Sequence, residues 1–127
     1  MSVELNVLYV EDEADIREVV EFALEDEGFE LVVCDSGKEA LIKGSSIIPD
    51  LILIDVMMPE MDGPTTLSKL REMPHMLTVP VIFMTAKVQP AEVEEYLNLG
   101  AVGVIRKPFD AMTLADEIHR LMGTSGD

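Results

Sequence analysis

The sequence predicts an α/β fold in which an open, doubly wound parallel sheet carries helices on both faces. Two patterns and a length predict it. Apolar runs rich in branched residues alternate with stretches of helical period along the whole chain, which is the βα repeat. The runs are nearly continuous rather than alternating in polarity, as in strands covered on both faces. The chain has 127 residues, enough for one domain with a single core, whereas a closed eight-unit barrel needs about 250.

The first strand is read from Leu5 to Val10. In the helix after it, Ile16, Val19, Val20, Ala23 and Leu24 form the i, i+3, i+4, i+7, i+8 stripe, and Gly28 is its expected stop. A second strand, Leu31 to Cys34, leads into a helix from Ser36 to Ser46. The third strand, Leu51 to Ile54, is followed by a helix that Pro64 opens and that reaches Met73. The fourth runs from Val79 to Met84 and precedes a helix from Pro90 to Leu99, which Gly100 ends. The fifth spans Val102 to Arg106. Leu114, Ile118, Leu121 and Met122 mark the last helix, with Asp110 or Thr113 as N-cap. One domain is expected over residues 1–122, with 123–127 as a mobile tail.

Acids number 25 against 9 bases, a formal charge of −16, while 48% of the residues are apolar and the mean hydropathy is +0.23. That apolar content excludes a disordered chain. The charge repels phosphate backbones and anionic lipid, so nucleic acid and membrane surfaces are excluded as direct partners. Cations and basic protein surfaces are expected instead. No apolar run approaches the roughly 20 residues of a membrane helix, and Met1-Ser2-Val3-Glu4 lacks the basic start of a signal peptide, so a cytoplasmic location is expected. The single Cys34 allows neither an internal disulfide nor a thiolate metal site and is read as core. His75 and His119 are read as surface residues, and Met57, Met58 and Met61 as loop packing.

In an open parallel sheet the ligand crevice lies at the carboxyl ends of the strands. Strand one runs into Glu11-Asp12-Glu13 and strand three into Asp55; strand four ends in Thr85-Ala86 and strand five in Lys107-Pro108. Carboxylates a few Å apart repel and need a cation or protons to stay together. Oxygen donors without His or Cys indicate Mg2+ or a similar hard ion. Singly, these groups also fit an acidic first turn, a turn or cap, a strand-end hydroxyl and a solvated charge. Four strands that each end in a group of complementary chemistry point instead to a site.

Val10-Glu11-Asp12-Glu13, Asp55-Val56-Met57-Met58-Pro59-Glu60-Met61-Asp62-Gly63, Met84-Thr85-Ala86, Gly100-Ala101 and Lys107-Pro108-Phe109 occur in this order. With them the sequence resembles, over essentially its whole length, the receiver domain of two-component response regulators. The resemblance implies a flavodoxin-like sheet of order 2-1-3-4-5. It implies Asp55 as phosphoryl acceptor, Glu11 and Asp12 as the acidic pair supporting Mg2+, and the main-chain carbonyl of Met57 as a further ligand. Thr85 is implied as the switch hydroxyl, with Ala86 beside it, and Lys107 as the phosphate-contacting amine, with a cis bond before Pro108. The implied phosphodonor is a sensor histidine kinase or phosphotransfer protein. An output partner of unknown identity and a weak homodimer are implied as well. The chain is then a switch that assists its own phosphotransfer and dephosphorylation rather than an enzyme, either free-standing or a portion of a longer regulator or hybrid kinase.

Two residues depart from the family pattern. Glu11 stands where many receivers have Asp, so its longer arm is expected to reach a metal through water. Val104, next to Gly103, stands where an aromatic switch residue is usual, so the signal is expected to pass through the Thr85 loop and residues 86–97. Met57 and Lys87 occupy positions that tune acyl-phosphate hydrolysis in the family. A Mg2+-dependent phosphohydrolase with an aspartate nucleophile needs a second Asp at the position of Met57, and a flavin or nucleotide binder needs a small-residue loop where Glu11-Asp12-Glu13 stands. A phosphorylation-independent interaction module of the same fold is the alternative that Val104 keeps open. Eleven acids, opposed only by Arg17, lie in the first thirty residues. A basic partner surface is therefore expected on the Glu13 to Glu27 helix, since in receivers the first helix helps dock the kinase.

Overall fold

A computed structural model describes residues 4–124. Five strands alternate with five α-helices: β1 Leu5–Val10, α1 Ala14–Leu24, β2 Phe29–Cys34, α2 Gly37–Gly44, β3 Leu51–Asp55, α3 Gly63–Leu70, β4 Val81–Thr85, α4 Pro90–Asn98, β5 Ala101–Arg106 and α5 Leu114–Met122. A short 3-10 turn, Pro74–Met76, precedes β4. The strands are all parallel in the order β2-β1-β3-β4-β5, as expected. β1 and β3 are central, so the groups at their ends face each other across one ladder.

Alternate residues of each strand enter two cores. Leu8, Val10, Ile52, Ile54, Val81 and Phe83 pack under α2, α3 and α4. Val7, Tyr9, Leu51, Leu53, Ile82 and Met84 pack under α1 and α5. Strands buried from both sides have no polar face, which is why they read as continuous apolar runs. Cys34 is buried as expected, and burial pushes its thiol up to about 12.

Several boundaries differ from the sequence reading. α1 ends at Leu24, ahead of Gly28, because Asp26 adopts a left-handed φ of 60° and the chain turns there before Gly28 (φ 89°) starts the approach to β2. β2 begins two residues early because Phe29 pairs with Leu5 and buries its ring. Thr113 precedes α5 without a side-chain cap bond. Gly123 closes α5 at φ 71°, and the Thr124 N–H donates to the His119 carbonyl at 2.9 Å. Residues 125–127 of the expected tail lie outside the described residues.

His119 is buried, not a surface residue. It lies four residues after Ala115 on the inward stripe of α5, its ring centroid is 4.8 Å from that of Phe29, and its Nδ1 is 2.7 Å from Thr124 Oγ1. His75 is half-buried, with Nε2 2.8 Å from the Gly44 carbonyl oxygen. Loop packing holds for Met58 and Met61, but Met57 is 62% exposed.

Candidate functional site

Each strand end positions one reactive group. Glu11 follows β1, and its N–H donates to the Cys34 carbonyl at 3.0 Å, which extends the ladder one residue and turns the side chain inward. The residue is wholly buried. Asp55 is the last residue of β3, and Val56 N–H bonds the Met84 carbonyl at 3.0 Å, so its side chain stands on rigid sheet. Lys107 is held by its own N–H on the Thr85 carbonyl at 2.9 Å, and the Lys107–Pro108 bond is cis. Its ammonium donates to Asp55 Oδ1 at 2.8 Å and stands 2.8 Å from Glu11 Oε1.

Carboxylate oxygens of Glu11, Asp12 and Asp55 lie within 4.8 Å of one another. Lys107 offsets only part of that charge. Glu11 Oε1 faces the Lys107 ammonium at 2.8 Å, whereas Asp12 Oδ1 is buried without a hydrogen-bond partner. An orphaned carboxylate oxygen in an all-oxygen cluster fits a hard divalent cation. Glu13 is exposed at the start of α1, outside the cluster, and the Arg17 guanidinium donates to the Glu11 carbonyl at 2.8 Å.

Burial pushes the Glu11 carboxyl up to about 7, with Asp55 adding to it and Lys107 opposing. Asp55 is also raised, chiefly by burial, with Lys107 acting against the shift. Burial alone would lower Lys107, but the two carboxylates hold its ammonium above the usual range.

Thr85 is buried at the end of β4, and its Oγ1 accepts the Lys87 N–H at 3.0 Å, which ties the hydroxyl to the β4–α4 loop. Ala86 and Met57 are exposed at the rim. Val104 is half-buried opposite Phe83 in the ladder, and the ring packed on Phe83 is Tyr96 from α4, with centroids 5.4 Å apart.

Gly63 carries a role that the sequence showed only as the residue before the helix-opening Pro64. A Cβ there would stand 2.4 Å from the Asp55 carbonyl oxygen and 3.0 Å from Val56 Cα, so α3 starts directly against the end of β3. The Gly-Pro pair signalled a helix start, but the close approach is visible only in three dimensions. Gly63→Ala must displace backbone at Asp55, and we expect a loss of about 1–3 kcal/mol in urea unfolding.

The chain matches the response regulator receiver domain over residues 7–119. It belongs to that family. It is 37% identical to the response regulator SaeR of Staphylococcus epidermidis over 92% of this chain and 50% of that protein, so it spans about half of that relative. The chemotaxis response regulator CheY4 of Vibrio cholerae superposes with a TM-score of 0.86 at 32% identity, covering 94% of this chain and 99% of that one. The receiver domain of the sensor histidine kinase PA1611 of Pseudomonas aeruginosa was solved with a magnesium ion coordinated in its active site cleft; it matches with a TM-score of 0.82 at 26% identity, over 96% of this chain and 100% of that one. The receiver fold and the sheet order implied by the sequence are thus both found, and the acidic pocket in which receiver domains hold Mg2+ has its counterpart in Glu11, Asp12 and Asp55. No helix among the described residues is long and apolar enough to cross a membrane.

Proposed function

We propose that this receiver accepts a phosphoryl group on Asp55 from the phosphohistidine of a sensor histidine kinase or phosphotransfer protein, with Mg2+ bound, and signals by a change in the Thr85 loop. The observation that carries this reading is the Lys107 ammonium set between Asp55 and Glu11 beside the unpartnered Asp12 Oδ1. An Asp55 carboxylate oxygen attacks phosphorus, the N–P bond of the donor breaks, and an acyl phosphate forms. Nucleophile and incoming group are both anionic, so positioning and charge compensation provide nearly all of the catalysis. Lys107 stays charged beside Asp55 and offers that compensation from the protein side. The carboxylates of Glu11, Asp12 and Asp55, with the Met57 carbonyl that the family resemblance adds, would hold Mg2+, which when bound supplies positive charge against the transferring oxygens.

The product adds nearly two negative charges and three acceptor oxygens. The Thr85 hydroxyl, which accepts from the Lys87 N–H, can turn to donate to a phosphate oxygen, and residues 86–97 then follow the loop. Tyr96, rather than an aromatic at Val104, is the ring on this route. The reading places residues 1–122 in one receiver unit at work in the cytoplasm, acting as a switch on an output partner. Intact mass after incubation with acetyl phosphate and Mg2+ tests it: one added phosphate supports the reading, and an unchanged mass defeats it.

Docking of the donor is read at the flank of α1 nearest Lys107. Ile16, Val19, Pro108 and Phe109 line an apolar groove of about 260 Å3 there, with Asp15 at its edge. The acid excess along α1 calls for a basic donor surface, so association should slow about tenfold from low to high salt in stopped-flow mixing. A salt-independent rate would remove the electrostatic part of this reading.

Proton uptake by the pocket gives a second expectation. The folded-state value of Glu11 lies near 7, above its ordinary 4.5, so the metal-free fold binds more protons than the unfolded chain between those values. Its stability should therefore rise, by about 1–3 kcal/mol, as pH falls from 8 toward 5. Mg2+ needs the deprotonated carboxylates, so its affinity should fall over the same interval. Urea unfolding with and without Mg2+ across that range checks both signs.

A further inference from the structure

The two faces of the sheet are covered unequally. α2, α3 and α4 lie over one face, whereas only α1 and α5 lie over the other. On that second face Val7, Tyr9, Leu51, Leu53, Ile82 and Met84 are fully buried. Leu31 and Val33, the equivalent residues of the edge strand β2, remain half-exposed. Beside them α1 presents Phe22, which is 75% exposed, and the result is a groove of about 420 Å3 between α1 and the β2 edge. Its floor is Phe29, Leu31 and Val33, and its rim is Glu18, Glu21 and Glu25. None of its described lining residues is basic, and Arg17, the one base in this part of the sequence, is turned to the Glu11 carbonyl.

We propose that this groove is a second docking surface, distinct from the donor flank, and that it takes a basic amphipathic helix of a partner protein. The occupant is a helix because the vacant strip is the place where a third helix would cover this sheet face. Addition of a strand is disfavoured because the Lys43 ammonium already occupies the Val33 carbonyl at 2.9 Å on this edge strand. The occupant is basic because its apolar stripe must lie along a row of three α1-side carboxylates that make no ion pair among the described residues. Asp15, Ile16, Val19 and Phe109 belong to the other flank, so both surfaces can be filled at once. The proposal does not depend on phosphoryl transfer, and its failure would leave Asp55 chemistry untouched.

The test titrates the 15N-labelled full chain with a synthetic leucine-lysine amphipathic helix about five turns long, and with the same helix carrying glutamate for lysine. We expect amide shifts confined to Phe29–Val33 and Glu18–Glu25, with the glutamate helix inert. The double variant Glu18→Lys, Glu21→Lys reverses two exposed charges and should weaken binding at least about tenfold, while acetyl phosphate labelling stays at the native level. Shifts on the Ile16 and Phe109 flank alone would overturn the proposal. So would equal binding of the two peptides, no binding of either, or full affinity in the double variant.

Discussion

Replacing Asp55 with asparagine should abolish phosphate incorporation and, in the absence of Mg2+, make the domain more stable. The amide keeps the shape of the side chain but offers no anionic oxygen to attack phosphorus, so acetyl phosphate should leave the intact mass unchanged while the native chain gains one phosphate. The stability gain follows from the same geometry. Three carboxylates share a cluster within 4.8 Å, Asp55 and Glu11 are held above their ordinary values by burial, and Lys107 is the cation that opposes this. Removing one buried anion relieves that repulsion and should raise stability by about 1–2 kcal/mol at pH 8. Incorporation at the native rate in Asp55→Asn would place the acceptor elsewhere. A destabilised variant would mean that the Lys107–Asp55 bond outweighs the repulsion.

Lys107→Ala should have the opposite effect on stability. The ammonium lies 2.8 Å from both Asp55 Oδ1 and Glu11 Oε1, and its loss leaves two buried carboxylates with no cation between them. Breaking a buried pair on one side costs about 3 kcal/mol, a loss that should be seen in full at pH 8. At pH 5 the cost should shrink, because Glu11 takes up a proton below about 7 and the remaining repulsion fades. Mg2+ at pH 8 should restore part of the loss by mass action. Labelling by acetyl phosphate should slow about 100-fold, the size of effect expected from removing one preorganised charge at a developing anion. A pH-independent stability change would show that Lys107 acts through packing of its stem rather than through its charge.

Much of the site was legible because each reacting group follows an apolar strand directly. Glu11, Asp55, Thr85 and Lys107 end runs whose burial is written in their composition, and a parallel sheet brings such ends to one rim. Gly63 was legible as punctuation but not as the backbone contact that seats α3 against Asp55. His119 was misread because its inward position depends on how α5 is rotated over Phe29, a contact between residues far apart in sequence. Met57 was grouped with Met58 and Met61 by proximity in the chain, yet only the path of the loop exposes it.

The sequence by itself determined the succession of strands and helices, the parallel sheet and the chemistry of the rim, because these depend on local composition and period. Only the tertiary structure decided the environment of that chemistry. Glu11 becomes a buried acid near 7 because β1, β3 and β5 enclose it with Asp55 and Lys107, residues up to 96 positions away along the chain. The acid excess of α1 likewise divides into a donor flank and a separate groove only because two helices cover one sheet face and leave β2 partly bare. Charge and hydropathy are properties of residues. Desolvation, ion pairing and uncovered area are properties of their arrangement, and these set proton affinity and the surfaces open to partners.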